Sequence, residues 1–231
     1  MLMIELTGIN FKYDQDPILT NINLTIKADE IIGIVGESGS GKTTLAHLML
    51  GLLQPTDGQI FTHGLTLLPI FQHAYDSFNP KFNMEKSLSE PIKYYKGTVT
   101  SDVRRRMKSL MTFMELDSKL LDRLPDELSG GQLQRFNTIR TLMLEPDMLL
   151  CDEITASLDV IAEQKMIEVL KDYHHRTQKG MLMISHDIAF LNHLVERVIV
   201  MKNGIIVDDF NVENLFSNQR HEYTKQLLSI Y

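Results

Sequence analysis

The feature that most constrains this chain is the run Gly36-Glu37-Ser38-Gly39-Ser40-Gly41-Lys42-Thr43, which satisfies G-x-x-x-x-G-K-[ST]. It lies between a short apolar run, Ile31, Ile32, Ile34 and Val35, and a helical stretch predicted from Thr43 to about Leu53. That context matters as much as the pattern. Glycines let the backbone turn so that consecutive N–H groups face phosphate oxygens, and the start of the following helix adds the positive end of its dipole. Lys42 is expected to reach the β- and γ-phosphates, and the Thr43 hydroxyl is a candidate ligand of Mg²⁺, with Thr44 beside it. At an average glycine content of about 7%, such a pattern arises by chance in roughly one chain per hundred of this length. The run therefore implies binding of a nucleoside triphosphate and an α/β framework, and nothing narrower.

Two further segments carry chemistry. Met148-Leu149-Leu150-Cys151-Asp152-Glu153 reads as a buried strand ending in two acids. Asp152 is placed to hold Mg²⁺ and Glu153 to polarise an attacking water. A lone acid pair at a strand end is more often a cap for the next helix, but a preceding phosphate loop makes that the minor reading. Leu128-Ser129-Gly130-Gly131-Gln132 has a serine and a glutamine at capping-box spacing. Its two glycines strip side chains from a helix start and leave backbone N–H groups open to an anion. It ends 20 residues before Asp152 (152 − 132).

Strand-like runs over residues 3–35 are followed by a different middle, about 84–144. There Met107, Leu110, Met111 and Met114 recur at i, i+3, i+4 and i+7, which predicts one buried helical face. Such a methionine stripe is read as core packing rather than a partner groove, with Arg104, Arg105 and Arg106 on the solvated side. From about 148 the strand–helix alternation returns in MLLCDE, GMLMIS and RVIVM, with a helix from Val160 to about His175. An α/β core with a helical insertion follows. The formal charge of −7 over 231 residues argues against a nucleic-acid partner, which needs a basic face. One cysteine, Cys151, fits a reducing compartment. No apolar run approaches the roughly 18–20 residues of a membrane span, and the first residues do not read as a secretion signal. A cytoplasmic location is the expectation. The adjacent His174 and His175 project to different sides of a helix and no acid or cysteine completes a set with them, so they are not read as a metal site.

At Leu128–Gln132 the chain resembles the ABC ATPase family, whose signature is LSGGQ. Other family elements occur in order. Tyr13 matches the aromatic residue that stacks on adenine, a reading preferred to simple packing beside Phe11. Gln72 matches the Q-loop glutamine at Mg²⁺ and the permease contact, Ser157-Leu158-Asp159 the D-loop, and His186 in Ile184-Ser185-His186-Asp187 the switch histidine at the γ-phosphate. The resemblance implies a P-loop NTPase (RecA-like) α/β core with an N-terminal antiparallel β subdomain and an inserted α-helical subdomain. It places the core with the β subdomain at 1–73 and 145–231 and the helical signature subdomain at 74–144, within one ABC ATPase domain, 1–231. It further implies ATP and Mg²⁺ and catalytic roles for Lys42, Gln72, Glu153 and His186. ATP contacts are implied for Tyr13, 36–44, Ser129, Gly130, Gly131, Gln132 and Asp159, and Mg²⁺ contacts for Thr43, Gln72 and Asp152.

In the family two ATPases face head to tail, so each ATP would lie between Lys42 of one subunit and Ser129 of the other. The implied partners are a second ATPase subunit, different or identical, two transmembrane permease subunits and an extracytoplasmic solute-binding protein, at the inner face of the cell membrane. Phe71-Gln72 leading to Ser77-Phe78-Asn79-Pro80, and the tail His221-Glu222-Tyr223-Thr224-Lys225-Gln226-Leu227-Leu228, resemble the dipeptide, oligopeptide and nickel importers. The chain looks most like their short nickel or metal–metallophore ATPase subunits. Glu222 and Ile154 stand where relatives usually have proline. The alternative is an ABC-family ATPase of a non-transport complex with a scaffold, repair or translation role. Repair ATPases, however, insert a long coiled coil for which residues 43–128 leave no room, and translation factors usually carry two tandem units.

Overall fold

The structure is a computed structural model that describes residues 2–229 except Ser157 and Asp187. In chain order its first half contains β1 (Met3–Tyr13), β2 (Asp16–Lys27), β3 (Ile31–Val35), α1 (Lys42–Met49), β4 (Asp57–Phe61), β5 (Leu67–Ile70), α2 (Met84–Lys96) and α3 (Ser101–Phe113). Then come α4 (Gly130–Leu142), β6 (Met148–Asp152), α5 (Val160–Thr177), β7 (Gly180–Ile184), α6 (Ile188–Asn192), β8 (Arg197–Lys202), β9 (Ile205–Asn211) and α7 (Glu222–Leu228). The chain divides into two compact units, one of Met1–Pro69, Asp147–Glu153 and Gln178–Tyr231, the other of Ile70–Pro146 and Ile154–Thr177.

The first unit holds two sheets. In the smaller, ordered β2-β1-β4, all pairings are antiparallel. Ile22, Leu24 and Ile26 alternate with exposed residues along β2 and are buried, as a half-covered strand requires. The larger sheet is ordered β5-β6-β7-β3-β8-β9. Strands β6, β7, β3 and β8 run parallel and β9 closes the edge antiparallel to β8. Every residue of β3, β6 and β7 is buried, which explains their near-continuous apolar sequences. Parallel strands deliver their carboxyl ends to one edge of a sheet, where ligand-binding loops of α/β folds are found. Three predicted site segments leave from there: Gly36–Gly41 after β3, Glu153 after β6 and His186 after β7.

Arg197 ties the unit together. Its guanidinium grips the Asp209 carboxylate through two 2.6 Å hydrogen bonds and also donates to the Thr25 carbonyl at 3.0 Å. Helix α1 stops at Met49, short of the predicted Leu53, because Gly51 takes a left-handed φ of 70° after the C-cap.

The second unit is helical. Asn83 caps α2 by accepting from the Lys86 N–H, and Thr100 caps α3 by accepting from Val103. Met107, Leu110, Met111 and Met114 are all buried, as their spacing predicted. Arg104 and Arg105 are exposed, but Arg106 corrects the expectation of a solvated side: it is half-buried and pairs with Glu145. Helix α4 is buried along Phe136, Ile139 and Leu142. Helix α5 belongs to this second compact unit. The Tyr173 hydroxyl, fully buried, donates to the Pro146 carbonyl at 3.1 Å, and Lys165 pairs with Glu115. Among the described residues no helix is long and apolar enough to cross a membrane.

Candidate functional site

The site begins where β3 ends. A Cβ on Gly36 would sit 2.2 Å from the Met201 carbonyl oxygen, so the strand can pass into the loop only without a side chain. Gly41, with φ of 99°, is the N-cap of α1, a left-handed conformation that favours glycine. Glu37, Ser38 and Gly39 are exposed, whereas Ser40 is buried and its carbonyl accepts the Gly204 N–H at 3.2 Å. The Lys42 side chain turns back over the loop and donates to the carbonyls of Gly36 at 2.8 Å and Glu37 at 2.9 Å. Burial lowers its pKa, while Glu153, Asp152 and Glu37 pull the other way. Lys42 is 6% exposed, so its ammonium is held over the loop by those carbonyls.

Asp152 ends β6 and is 6% exposed. Burial raises its pKa, opposed by a hydrogen bond from the Thr43 hydroxyl. This pair is a hard oxygen set. No group of three or more His, Cys, Asp or Glu side chains suited to a metal occurs among the described residues. One carboxylate and one hydroxyl suit Mg²⁺, which usually keeps waters and takes phosphate oxygens for its other ligands. Calcium or zinc would ask for more protein ligands.

Glu153 adopts φ of 48°, and its N–H donates to the Ile184 carbonyl at 2.9 Å, so the β6–β7 ladder holds its backbone in a left-handed turn. Such a conformation in a non-glycine residue costs on the order of 1–3 kcal/mol, and it separates the Glu153 side chain from the buried line of the strand. His186 Nδ1 stands 3.6 Å from the Glu153 carboxylate. Lys42, Thr43, Asp152, Glu153 and His186 thus belong to one unit, at the carboxyl ends of neighbouring strands.

Tyr13 ends β1 half-exposed, its ring edge-on to Phe11 at 4.8 Å between centroids, so it packs on Phe11 and keeps accessible surface. In the second unit, Ser129 Oγ accepts the Gln132 N–H at 3.3 Å and Gln132 Oε1 accepts the Ser129 N–H at 2.9 Å, the reciprocal capping box that spacing predicted. A Cβ on Gly130 would meet nothing within 4 Å, so the first turn of α4 is open. Gln72 is exposed and lines one groove with His73, Tyr75, Gly130 and Leu133. Asp159 Oδ1 accepts the Ala162 N–H at 2.8 Å, a cap for α5. Ser157 and Asp187 lie outside the described residues.

Two contacts escaped the sequence reading. Gly204, in the tight Asn203-Gly204 turn between β8 and β9, reaches Ser40, and Tyr223 of α7 reaches Glu37. The Asn-Gly pair between two strand-like runs signals a hairpin, but nothing in it points to the phosphate loop.

Comparison with known proteins shows the family. The sequence profile of the family described as ABC transporter matches residues 19–156. The nickel import system ATP-binding protein NikE of Staphylococcus aureus strain MRSA252 is 48% identical over 232 residues, 99% of each chain. That of strain bovine RF122 / ET3-1 is 47% identical over the same span. Among solved structures, the dimeric post-hydrolysis state of the ATP-binding cassette MJ0796 bound to ADP and Pi superposes with a TM-score of 0.80 at 26% identity, covering 90% of this chain and 98% of that one. The cbiO1 protein of Clostridium perfringens, part of the ABC transporter complex cbiONQ, gives 0.79 at 23% identity over 94% and 92%, a likeness of fold.

Proposed function

The chain belongs to the ABC transporter family as an ATPase of an importer, and from that membership we propose that it powers the uptake of nickel, free or as a metallophore complex. The observation that carries the cargo is the 48% identity to a nickel import ATPase over 99% of both chains. An importer of peptides would use the same ATPase chemistry, because cargo is chosen by other polypeptides.

In this reading Lys42 withdraws charge from the β- and γ-phosphates, and the loop N–H groups, fixed before ATP arrives, face the phosphate oxygens. Thr43 and Asp152 hold Mg²⁺, which when bound neutralises charge that grows on the phosphate oxygens. Glu153 orients a water and accepts its proton as the water oxygen bonds to the γ-phosphorus and the bond to ADP breaks. His186, at 3.6 Å from that carboxylate, steadies Glu153 and contacts the γ-phosphate. The role of Gln72 is to sense Mg²⁺ and the permease, and that of Tyr13 is to stack on adenine.

The open first turn of α4 receives the γ-phosphate of ATP bound by a second ATPase subunit, related or identical. Asp159 passes the state of one site to the other. ATP then bridges the two subunits, hydrolysis removes the bridge, and two permeases at the inner face of the cell membrane read the motion. A solute-binding protein outside delivers the cargo.

The test is uptake of radioactive nickel by cells lacking the chain, complemented with the parent or with Lys42→Ala. The parent is expected to restore uptake and Lys42→Ala to leave it at background. If the parent restores peptide uptake and not nickel uptake, the cargo assignment is wrong while the ATPase role stands.

A further inference from the structure

Tyr223 lies outside the set formed by Lys42, Thr43, Asp152, Glu153 and His186. It lies in the first turn of α7, is 7% exposed, and its phenol oxygen accepts the Glu37 backbone N–H at 3.1 Å. The backbone N–H of Glu37, the second residue of the phosphate loop, is therefore held by a side chain 186 positions away.

That side chain is itself held firmly. His221 Nδ1 accepts the Tyr223 N–H at 3.1 Å and caps the helix. Asp208 of β9 takes the His221 N–H at 2.8 Å, the Thr224 hydroxyl at 2.9 Å and the Arg220 guanidinium at 3.3 Å. The Lys202 ammonium lies 4.2 Å from the centre of the tyrosine ring. Asp208 anchors the helix start, the helix start aims the ring, and the ring ends on the loop. The loop is gripped a second time where Gly204 donates to the Ser40 carbonyl. Between these two grips lie Ser38 and Gly39, both exposed, and a Cβ on Gly39 would meet nothing within 4 Å.

We infer that Tyr223 is a positioning residue for nucleotide binding: its hydroxyl fixes the first bend of the phosphate loop through Glu37 and makes the C-terminal segment a strut of the ATP site. This rests on the ATPase reading of the loop. Without the hydroxyl, the N–H of Glu37 turns to water, the first half of the loop gains freedom, and binding must remove that freedom again. The loss falls on affinity, because the groups that act on the γ-phosphate are untouched. Phenylalanine keeps the ring over which Lys202 sits, so Tyr223→Phe isolates the hydroxyl.

The experiment measures the Kd of ADP with Mg²⁺, the KM and kcat for ATP, and the Tm without nucleotide, for the full-length parent and Tyr223→Phe. One hydrogen bond of ordinary strength predicts a rise of about 3- to 10-fold in Kd and a matching rise in KM, with kcat changed less than about twofold. A merely structural tyrosine would act differently. It would lower Tm and scale down the active fraction, and so kcat, while Kd and KM stayed put, and that outcome overturns the inference. Equal constants and equal Tm overturn it too. Failure of the parent to bind ADP would remove the ATPase reading and this inference together, which is distinguishable from failure of the variant to differ.

Discussion

At the scale of single residues, the backbone of Glu153 is the informative case. The residue before it, Asp152, ends a fully buried strand, and continuing in the extended conformation would send the next side chains along the same buried ladder. A left-handed φ at Glu153, held by its N–H on Ile184, breaks that line and leaves the carboxylate partly exposed near His186. The adjacent acids thereby acquire different work: Asp152, buried on the Thr43 hydroxyl, suits a cation, and Glu153 suits a water. Glu153→Gln keeps size and backbone but removes the proton acceptor. Single-turnover hydrolysis is expected to slow by about 10²–10⁴-fold, with the ATP Kd within a factor of about three of the parent. Hydrolysis at the parental rate would take the general-base role from this side chain.

At the scale of elements, the start of β6 is stitched to its surroundings by one carboxylate. Asp147 pairs with Lys179, which leads into β7, and accepts the Thr66 N–H at 3.0 Å just before β5. The Lys179 hydrogen bond, then that of Thr66, holds the Asp147 pKa below its ordinary value. A depressed carboxylate contributes stability that is complete above the unfolded-state pKa, about 3.9, and is lost as pH falls through the lower folded value. Asp147→Asn should therefore unfold at lower denaturant concentration than the parent at pH 7. Its deficit should shrink as pH drops from about 4 toward 2. Denaturation followed by circular dichroism at several pH values checks this; a deficit independent of pH would assign the effect to packing. The pair is a third exposed, so solvent screening keeps the effect modest.

At the scale of the whole molecule, the chain supplies one phosphate loop and one open glycine helix start. In the proposed assembly these serve different nucleotides. Ser129→Arg places a long cation at the first turn of α4, where Gly130 leaves open space. The variant should bind ATP like the parent. In sedimentation with ATP and the hydrolysis-slowed Glu153→Gln background, it should remain monomeric where Glu153→Gln alone dimerises or pairs with its cognate ATPase. Dimerisation with Ser129→Arg present would refute the shared-nucleotide arrangement.

Much of this is legible in the sequence alone, because its signals are local. A phosphate loop is a spacing of glycines between a strand and a helix; a capping box is two side chains three residues apart, and Ser129 with Gln132 forms it as predicted. The methionine stripe of α3 follows from helical period alone. Other features depend on packing between distant segments, which leaves no periodic trace. The end of α1 at Met49 reflects the left-handed Gly51, and Arg106 became half-buried because Glu145 came within reach of it. The hydrogen bond from Tyr173 of α5 to Pro146 is of the same kind. Above all, the tail motif was legible as a family resemblance, but its use was not. That Tyr223 reaches Glu37 depends on β9 carrying Asp208 to the start of α7. Spacing along a chain encodes what lies within a turn or a strand; which far residues meet is decided only when sheets and helices close on a common core.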